Sequence, residues 1–165
     1  MGTSDSKDQI ELDLGRTFTT HLTYTDKIGK GQKELGELLN AYARYDAEVG
    51  YCQGMNFIGA VILMNLPLNQ AFHVFISVMQ HLRTYFVPSM WELKEDANIL
   101  ESMMKIKFPL VIQKLKKLKI ELIMFLSKWF MCCFTFLPWP CVLRIFDLLL
   151  IEGKKKKKDY LKGEK

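Results

Sequence analysis

Two segments of helical periodicity are joined by the run Val49-Gly50-Tyr51-Cys52-Gln53-Gly54-Met55-Asn56-Phe57. Before this run, apolar residues recur at helical spacing over residues 33–45, at Leu35, Leu38, Leu39 and Tyr42. After it, residues 56–65 are apolar on most faces, which predicts a buried helix. Two glycines bracket Gln53, so we predict that Gln53 lies on a bend just before the second helix.

The chain after residue 65 also has a helical pattern. Pro67 interrupts the apolar segment, and Asn69 is the predicted N-cap of the next helix. Further along the chain, Pro109 begins a basic helix. Each of three successive helices in this region has a predicted inward face. The inward residues are Phe72, Phe75, Met79 and Leu82 in the helix after Pro67, Leu93, Ala97, Leu100 and Met104 in the next helix, and Leu110, Leu115 and Leu118 in the helix that Pro109 begins. No alternating strand pattern of useful length competes with this pattern, which indicates an all-α protein.

A second run, Ile10-Glu11-Leu12-Asp13-Leu14-Gly15-Arg16-Thr17, precedes the glutamine run. Together the two runs resemble the I-x-x-D-x-x-R-T and Y-x-Q motifs of the TBC-domain Rab GTPase-activating proteins. A lone Y-x-Q is weakly specific, whereas both motifs in this order are strongly specific. Further similar segments extend the resemblance over residues 9–153: Ala41-Tyr42, Glu48-Val49-Gly50, Trp129-Phe130, Leu137-Pro138 and Leu143-Arg144-Ile145-Phe146-Asp147. The resemblance implies a TBC-like helical domain.

The resemblance also implies a function, which is to complete the catalytic site of a GTP-bound Rab-type GTPase. Arg16 would be the arginine finger and Gln53 the water-positioning finger. Four further residues would hold these two in place: Asp13, Thr17, Tyr51 and Gly54. GTP and Mg²⁺ would come with the partner, so the resemblance implies no cofactor and no metal ion for this chain, which would be an activator and not itself a hydrolase. A structural alternative is that Arg16 only pairs with Asp13 one turn away and that Gln53 caps a loop.

The two finger residue types suit the chemistry of GTP hydrolysis. Negative charge develops on the transferring phosphoryl group, and an arginine supplied in trans is worth about 10³–10⁵ in rate. The guanidinium is always charged, and its planar fork matches phosphate oxygens. The attacking water must also be oriented, and a side-chain amide offers both an acceptor and donors for that purpose.

Family members carry further helices before and after the similar segment, so we expect a TBC-like domain that is incomplete at both ends. The expected organisation is a disordered N-terminus over residues 1–8, a partial domain over 9–153 and a basic, disordered tail over 154–165. Two milder departures are Phe146, where the family usually has tryptophan, and Thr19, where many members have proline.

Three functions stay open from the sequence. The first is Rab GTPase activation in vesicle trafficking. The second is a catalytically inactive GTPase-binding or remnant protein, and the third is a peripheral membrane-associated product. The basic cluster, Lys154, Lys155, Lys156, Lys157 and Lys158, fits contact with anionic lipid headgroups, a nuclear-localisation patch or a solvated tail. The interpretation that we favour is a chain end created by altered splicing, a frameshift or a gene remnant.

The charge distribution argues against a nucleic-acid partner. The formal net charge is +5. Residues 154–165 contain seven of the 23 basic and two of the 18 acidic residues, which leaves 16 of each elsewhere. The basic character therefore belongs to the tail, and the remaining chain has no excess positive charge for a phosphate backbone.

The spacing of the cysteines indicates the cellular compartment. The four cysteines have no C-x-x-C spacing, which predicts free, mostly buried thiols in a reducing compartment rather than a zinc site or a disulfide framework. We therefore expect a cytoplasmic protein that is at most peripheral on endomembranes.

The apolar segment 122–151 is interrupted by Lys128 and two prolines, and a spanning helix needs about 20 apolar residues. Two buried helices around a turn are the predicted interpretation of this segment.

Overall fold

The computed structural model describes residues 3–26 and 29–153, with the side chains of residues 3–5 outside that description. These residues form eight helices and no strand, which confirms the predicted all-α class. The helices are α1 (Thr3–Leu14), α2 (Lys30–Tyr45), α3 (Met55–Leu63), α4 (Leu68–Phe86), α5 (Trp91–Lys107), α6 (Pro109–Lys117), α7 (Ile123–Met131) and α8 (Trp139–Glu152).

The main core is built around α3, which packs against α1, α2 and α4. Almost every residue of α3 is buried, as its apolar sequence predicts. A β-carbon at Gly59 would lie 3.1 Å from Leu35 Cδ1, so the absence of a side chain there lets α2 and α3 approach closely. The predicted stripe of α4 faces the same core, with Phe75, Met79 and Leu82 buried and Phe72 half-buried.

A smaller apolar cluster joins α5, α6 and α7 through Ala97, Ile112, Leu122 and Leu126. The predicted inward face of α6 is wrong at two positions, because Leu110 and Leu118 are 77% and 54% exposed. Ile112 is buried instead, and Leu115 is half-buried one turn later. Leu118 lies past the last residue of α6, so the helical spacing does not carry it onto that face.

The N-terminal residues differ from the prediction of disorder over 1–8. Residues 3–8 form the first turns of α1, and α1 packs against α2 and α3. Ile10 and Asp13, further along the same helix, are completely buried. Burial of this helix face provides the free energy that a polar segment lacks in isolation. The predicted tail at 154–165 lies outside the described residues.

Two smaller predictions concern Asn69 and the apolar segment 122–151. Asn69 is not the N-cap of α4, because the helix begins at Leu68 and Pro67 occupies the cap position. The segment 122–151 does form two helices, α7 and α8, around a turn. The prediction that both are buried is wrong, because Leu126 is the buried residue of α7, and Val142 and Phe146 are the buried residues of α8. Across the described ranges 3–26 and 29–153, no helix has the length and apolar character required to span a membrane.

Candidate functional site

The arginine segment, residues 13–17, is a tight turn at the end of α1. The Arg16 amide donates to the Asp13 carbonyl at 3.2 Å, and the Thr17 amide donates to the Leu14 carbonyl at 3.2 Å. The Arg16 side chain is 52% exposed, and its Nη2 forms an ion pair with Asp13 Oδ1. The turn therefore leaves the Arg16 side chain half exposed, while its guanidinium is paired with a carboxylate of α1.

Asp13 is the buried anchor of the arginine segment, and none of its side chain is exposed. Besides Arg16, its carboxylate accepts hydrogen bonds from Tyr51 Oη at 2.6 Å and from Gln9 Nε2 at 3.2 Å. A buried carboxylate is tolerated when such partners replace water. Burial, followed by the hydrogen bond to Asp13, raises the pKa of Tyr51 well above its ordinary value, so the phenol stays a donor.

The glutamine bend, residues 50–54, lies between α2 and α3, as predicted. Gln53 is exposed at the turn, and no hydrogen bond to another described residue engages its side chain. Gly54 has a φ of +110°, which an L-residue rarely adopts. A β-carbon at Gly54 would also lie 3.1 Å from the Met131 carbonyl oxygen. Both constraints require glycine directly after Gln53.

A completely buried asparagine connects the arginine segment to the glutamine bend. Asn56 Nδ2 donates to Thr17 Oγ1 at 2.8 Å, and Asn56 Oδ1 accepts from the Gly54 amide at 3.0 Å. Thr17 Oγ1 in turn donates to the Asp13 carbonyl at 2.6 Å. Sequence reasoning missed Asn56, although a single amide on the first turn of an apolar helix was an available signal.

Further contacts attach the loop after Arg16 to α3. Phe18 packs edge-on against Phe57, with ring centroids 5.4 Å apart. Tyr24 Oη donates to the Ala60 carbonyl at 3.2 Å, and Gln32 Nε2 donates to the Tyr24 carbonyl at 3.1 Å. The helix that follows Gln53 therefore also supports the loop that follows Arg16.

Comparison with known proteins identifies the family of this site. Residues 2–159 match the profile of the Rab-GTPase-TBC domain. The chain belongs to the Rab-GTPase-TBC domain family. The matched residues include both runs on which the resemblance rested, and that resemblance is confirmed.

Three TBC relatives illustrate the extent of the similarity. The chain is 39% identical over 154 residues to TBC1 domain family member whacked of Drosophila melanogaster, covering 92% of this chain and 42% of the relative. It is 37% identical over 150 residues to TBC1 domain family member 10A of Mus musculus, covering 90% and 30%. It is 38% identical over 152 residues to growth hormone-regulated TBC protein 1 of Xenopus tropicalis, covering 90% and 44%. The chain thus spans less than half the length of each of these proteins.

An ion-pair cluster holds the residues just before the glutamine bend in this TBC domain. Arg83 of α4 donates to Asp46 through Nε at 2.8 Å and through Nη2 at 3.1 Å, and Nη2 also donates to Glu48 at 2.6 Å. The hydrogen bond from Arg83 is the main cause of a lowered pKa at Asp46. Asp46 also accepts from the Val49 amide at 3.3 Å, so the cluster connects α4 to the residues before Gln53.

The structure brings together all six residues that the TBC resemblance singled out. Arg16 and Gln53 are exposed, whereas Asp13, Thr17, Tyr51 and Gly54 lie buried beneath them. The Arg16–Asp13 pair expected by the structural alternative is present, but a loop cap from Gln53 is not seen among the described residues. In that same part of the chain, no cluster of His, Cys, Asp or Glu is arranged to hold a metal ion.

Proposed function

We propose that this TBC domain accelerates GTP hydrolysis by a Rab-type GTPase in its GTP-bound form, with Arg16 and Gln53 supplied in trans. The observation that carries the proposal is the division between exposed and buried residues of the two motifs. The finger residues face solvent, whereas buried side chains within three residues of them in sequence form hydrogen bonds that join the arginine segment to the glutamine bend. A purely structural arginine and glutamine have no need of such a shared support.

The ion pair with Asp13 is compatible with a finger role for Arg16. Asp13 contacts Nη2 of a guanidinium that has five N–H donors, so other donors stay available for phosphate oxygens. Tyr51 and Gln9 hold the carboxylate, which restricts the arginine before it meets a partner. A pre-positioned side chain loses less conformational entropy in the transition state.

Gln53 contributes the second half of the proposed chemistry. Its amide would accept a hydrogen bond from the attacking water and donate another, in place of the partner's own glutamine. GTP and Mg²⁺ belong to the partner, so the proposal assigns no nucleotide or metal site to this chain. The associated setting is the cytoplasmic face of endomembranes during vesicle trafficking, with contact between anionic headgroups and Lys154–Lys158 as a further prediction.

The decisive experiment is single-turnover GTP hydrolysis by a panel of purified Rab GTPases, with and without this chain. We expect acceleration of at least one member, and loss of that acceleration with Arg16→Lys. Binding to a GTP-bound Rab without any acceleration would instead support the non-catalytic GTPase-binding alternative. No effect and no binding across the panel would contradict both functions.

A further inference from the structure

The hydrogen bonds of Asn56 have one consistent direction. The Gly54 amide can only donate, so the Asn56 atom that faces it must be Oδ1, and Nδ2 must face Thr17. The single hydroxyl hydrogen of Thr17 is directed at the Asp13 carbonyl, which leaves Oγ1 free to accept from Asn56. A series of hydrogen bonds therefore runs from the Gly54 amide through Asn56 and Thr17 to Asp13.

The two ends of this series lie next to the two exposed finger residues. Gly54 directly follows Gln53, and Thr17 directly follows Arg16. Asn56 and Thr17 are both 0% exposed, and their hydrogen bond joins positions 39 apart in sequence. Water cannot replace the hydrogen bonds of completely buried groups, so the series holds the backbone at both positions in one relative arrangement.

We infer that Asn56 is a positioning residue that sets the placement of Arg16 relative to Gln53, so that both side chains meet the partner's phosphate and water together. The inference rests on the proposed function, because it concerns how that reaction is supported. Asn56 is buried and touches neither the partner nor the nucleotide, so its effect on the reaction must pass through Thr17 and Gly54.

The Tyr51–Asp13 contact does not make this connection redundant. That contact fixes the carboxylate that holds the Arg16 guanidinium. Asn56 instead restrains the Gly54 backbone amide and the hydroxyl that closes the turn after Arg16. Without Asn56, the Tyr51–Asp13 contact remains, but the Gly54 backbone after Gln53 and the turn after Arg16 lose their direct connection and can shift relative to each other. Such a displacement weakens interactions made in the transition state, so kcat falls while KM for the GTP-bound partner changes little.

The test compares Thr17→Val, Asn56→Ala and the double variant in stimulated GTP hydrolysis. Valine has the shape of threonine but cannot accept from Asn56. We expect each single variant to lower kcat about 10- to 100-fold, the loss that displacement of a catalytic group by up to about 1 Å can cause, with KM unchanged within about twofold. The kcat of the double variant should be no lower than that of the less active single variant, because both changes interrupt the same series of hydrogen bonds.

Two control variants test the role of the Thr17 hydroxyl and the effect of an Asn→Ala change outside the series. Thr17→Ser retains the hydroxyl and should keep most of the activity. Asn65→Ala makes the same substitution at an exposed position just beyond the end of α3, where the Asn65 side-chain amide donates to the Val61 carbonyl at 2.7 Å. This position is not part of the series that joins the two finger positions. The variant should leave kcat unaltered. An equal loss in Asn65→Ala, or multiplication of the two single losses in the double variant, would overturn the inference.

A second measurement does not depend on any GTPase. Thr17 makes no hydrogen bond to Gly54, yet Thr17→Val should speed amide hydrogen exchange at Gly54, by disturbing Asn56. Unchanged exchange at Gly54 in a folded Thr17→Val variant would refute the connection even if the wild-type chain activates a Rab. Faster exchange in a chain that activates no Rab would instead retain the physical coupling and reject the proposed function alone.

Discussion

The Tyr51 hydroxyl donates to Asp13 across 38 residues of sequence, at a distance of 2.6 Å. The other oxygen of the same carboxylate pairs with Arg16. One buried side chain thus contacts both the arginine proposed to reach the partner's phosphate and a residue two positions before Gln53. This relationship explains why the aspartate and the tyrosine are part of the two motifs. The motifs form a single support rather than two independent sites.

Replacement of Arg16 should separate charge from geometry. Arg16→Ala should reduce the stimulated hydrolysis rate by about 10³ or more. It should also lower the free energy of unfolding by about 1–3 kcal/mol, since buried Asp13 loses a cationic partner. Arg16→Lys should retain most of the stability but not the rate, because an ammonium cannot reproduce the bidentate fork. Single-turnover kinetics and urea unfolding on both variants provide the two readouts, and a fully active lysine variant would disprove the finger assignment.

Gln53→Ala should be nearly as damaging to hydrolysis as Arg16→Ala, with the free energy of unfolding unchanged within about 0.5 kcal/mol because the side chain is exposed. A partner GTPase that lacks its own catalytic glutamine should still respond to the wild-type chain. Hydrolysis measured with that GTPase variant is the check. Complete loss of the response would return the water-positioning role to the partner and leave Gln53 without one.

The raised pKa of Tyr51 predicts loss of stability in alkaline solution. Its pKa lies above the ordinary value of 10.0, chiefly because the phenol is buried and secondly because it donates to Asp13. Above pH 10 the unfolded chain releases this proton while the folded chain retains it. The contribution of Tyr51 to the free energy of unfolding is therefore fully present below pH 10 and is lost as the pH rises further. Tyr51→Phe should weaken this pH dependence of unfolding measured by circular dichroism.

Tyr51→Phe should also lower stability at pH 7, by about 1–3 kcal/mol, because a buried carboxylate loses a donor. Tyr45 offers a matched control, since its side chain is 61% exposed and Tyr45→Phe removes a hydroxyl from the surface. We expect the control to be nearly neutral. If denaturant unfolding at pH 7 gives the two variants the same midpoint and the same slope, the Tyr51–Asp13 hydrogen bond does not contribute to stability as predicted.

Gly54→Ala should distort the glutamine bend. The φ of +110° is unfavourable for alanine, which costs about 1–3 kcal/mol, and the new methyl group would press on the Met131 carbonyl. Stimulated hydrolysis should fall with stability. Gly15→Ala is the matched control, because a β-carbon there meets nothing closer than the Leu12 carbonyl at 4.0 Å. Thermal unfolding of the pair tests this, and a Gly54→Ala variant as stable as Gly15→Ala would count against the geometric argument.

Local pattern was sufficient to predict the fold class and much of the core. The stripe of α4 and the apolar run of α3 face the interior because the helical repeat places their residues on continuous surfaces. The same reasoning failed for α6, a nine-residue helix in which Ile112 rather than Leu110 is buried. In so short a helix, the position of the neighbouring helices decides which apolar residue is covered. It failed again at residues 3–8, because composition alone does not predict the first turns of α1, a helix whose later residues Ile10 and Asp13 are completely buried.

The sequence by itself determined the helical class, the family and the two residues proposed to act, because periodicity and motif order are local properties of the chain. Only the tertiary structure decided how those residues are supported. The contacts of Tyr51 with Asp13 and of Asn56 with Thr17 join positions 38 and 39 apart, and no local pattern specifies which distant polar groups will meet. Packing of α1 and α3 brings these groups together in a buried site, where each must find a partner because water is excluded.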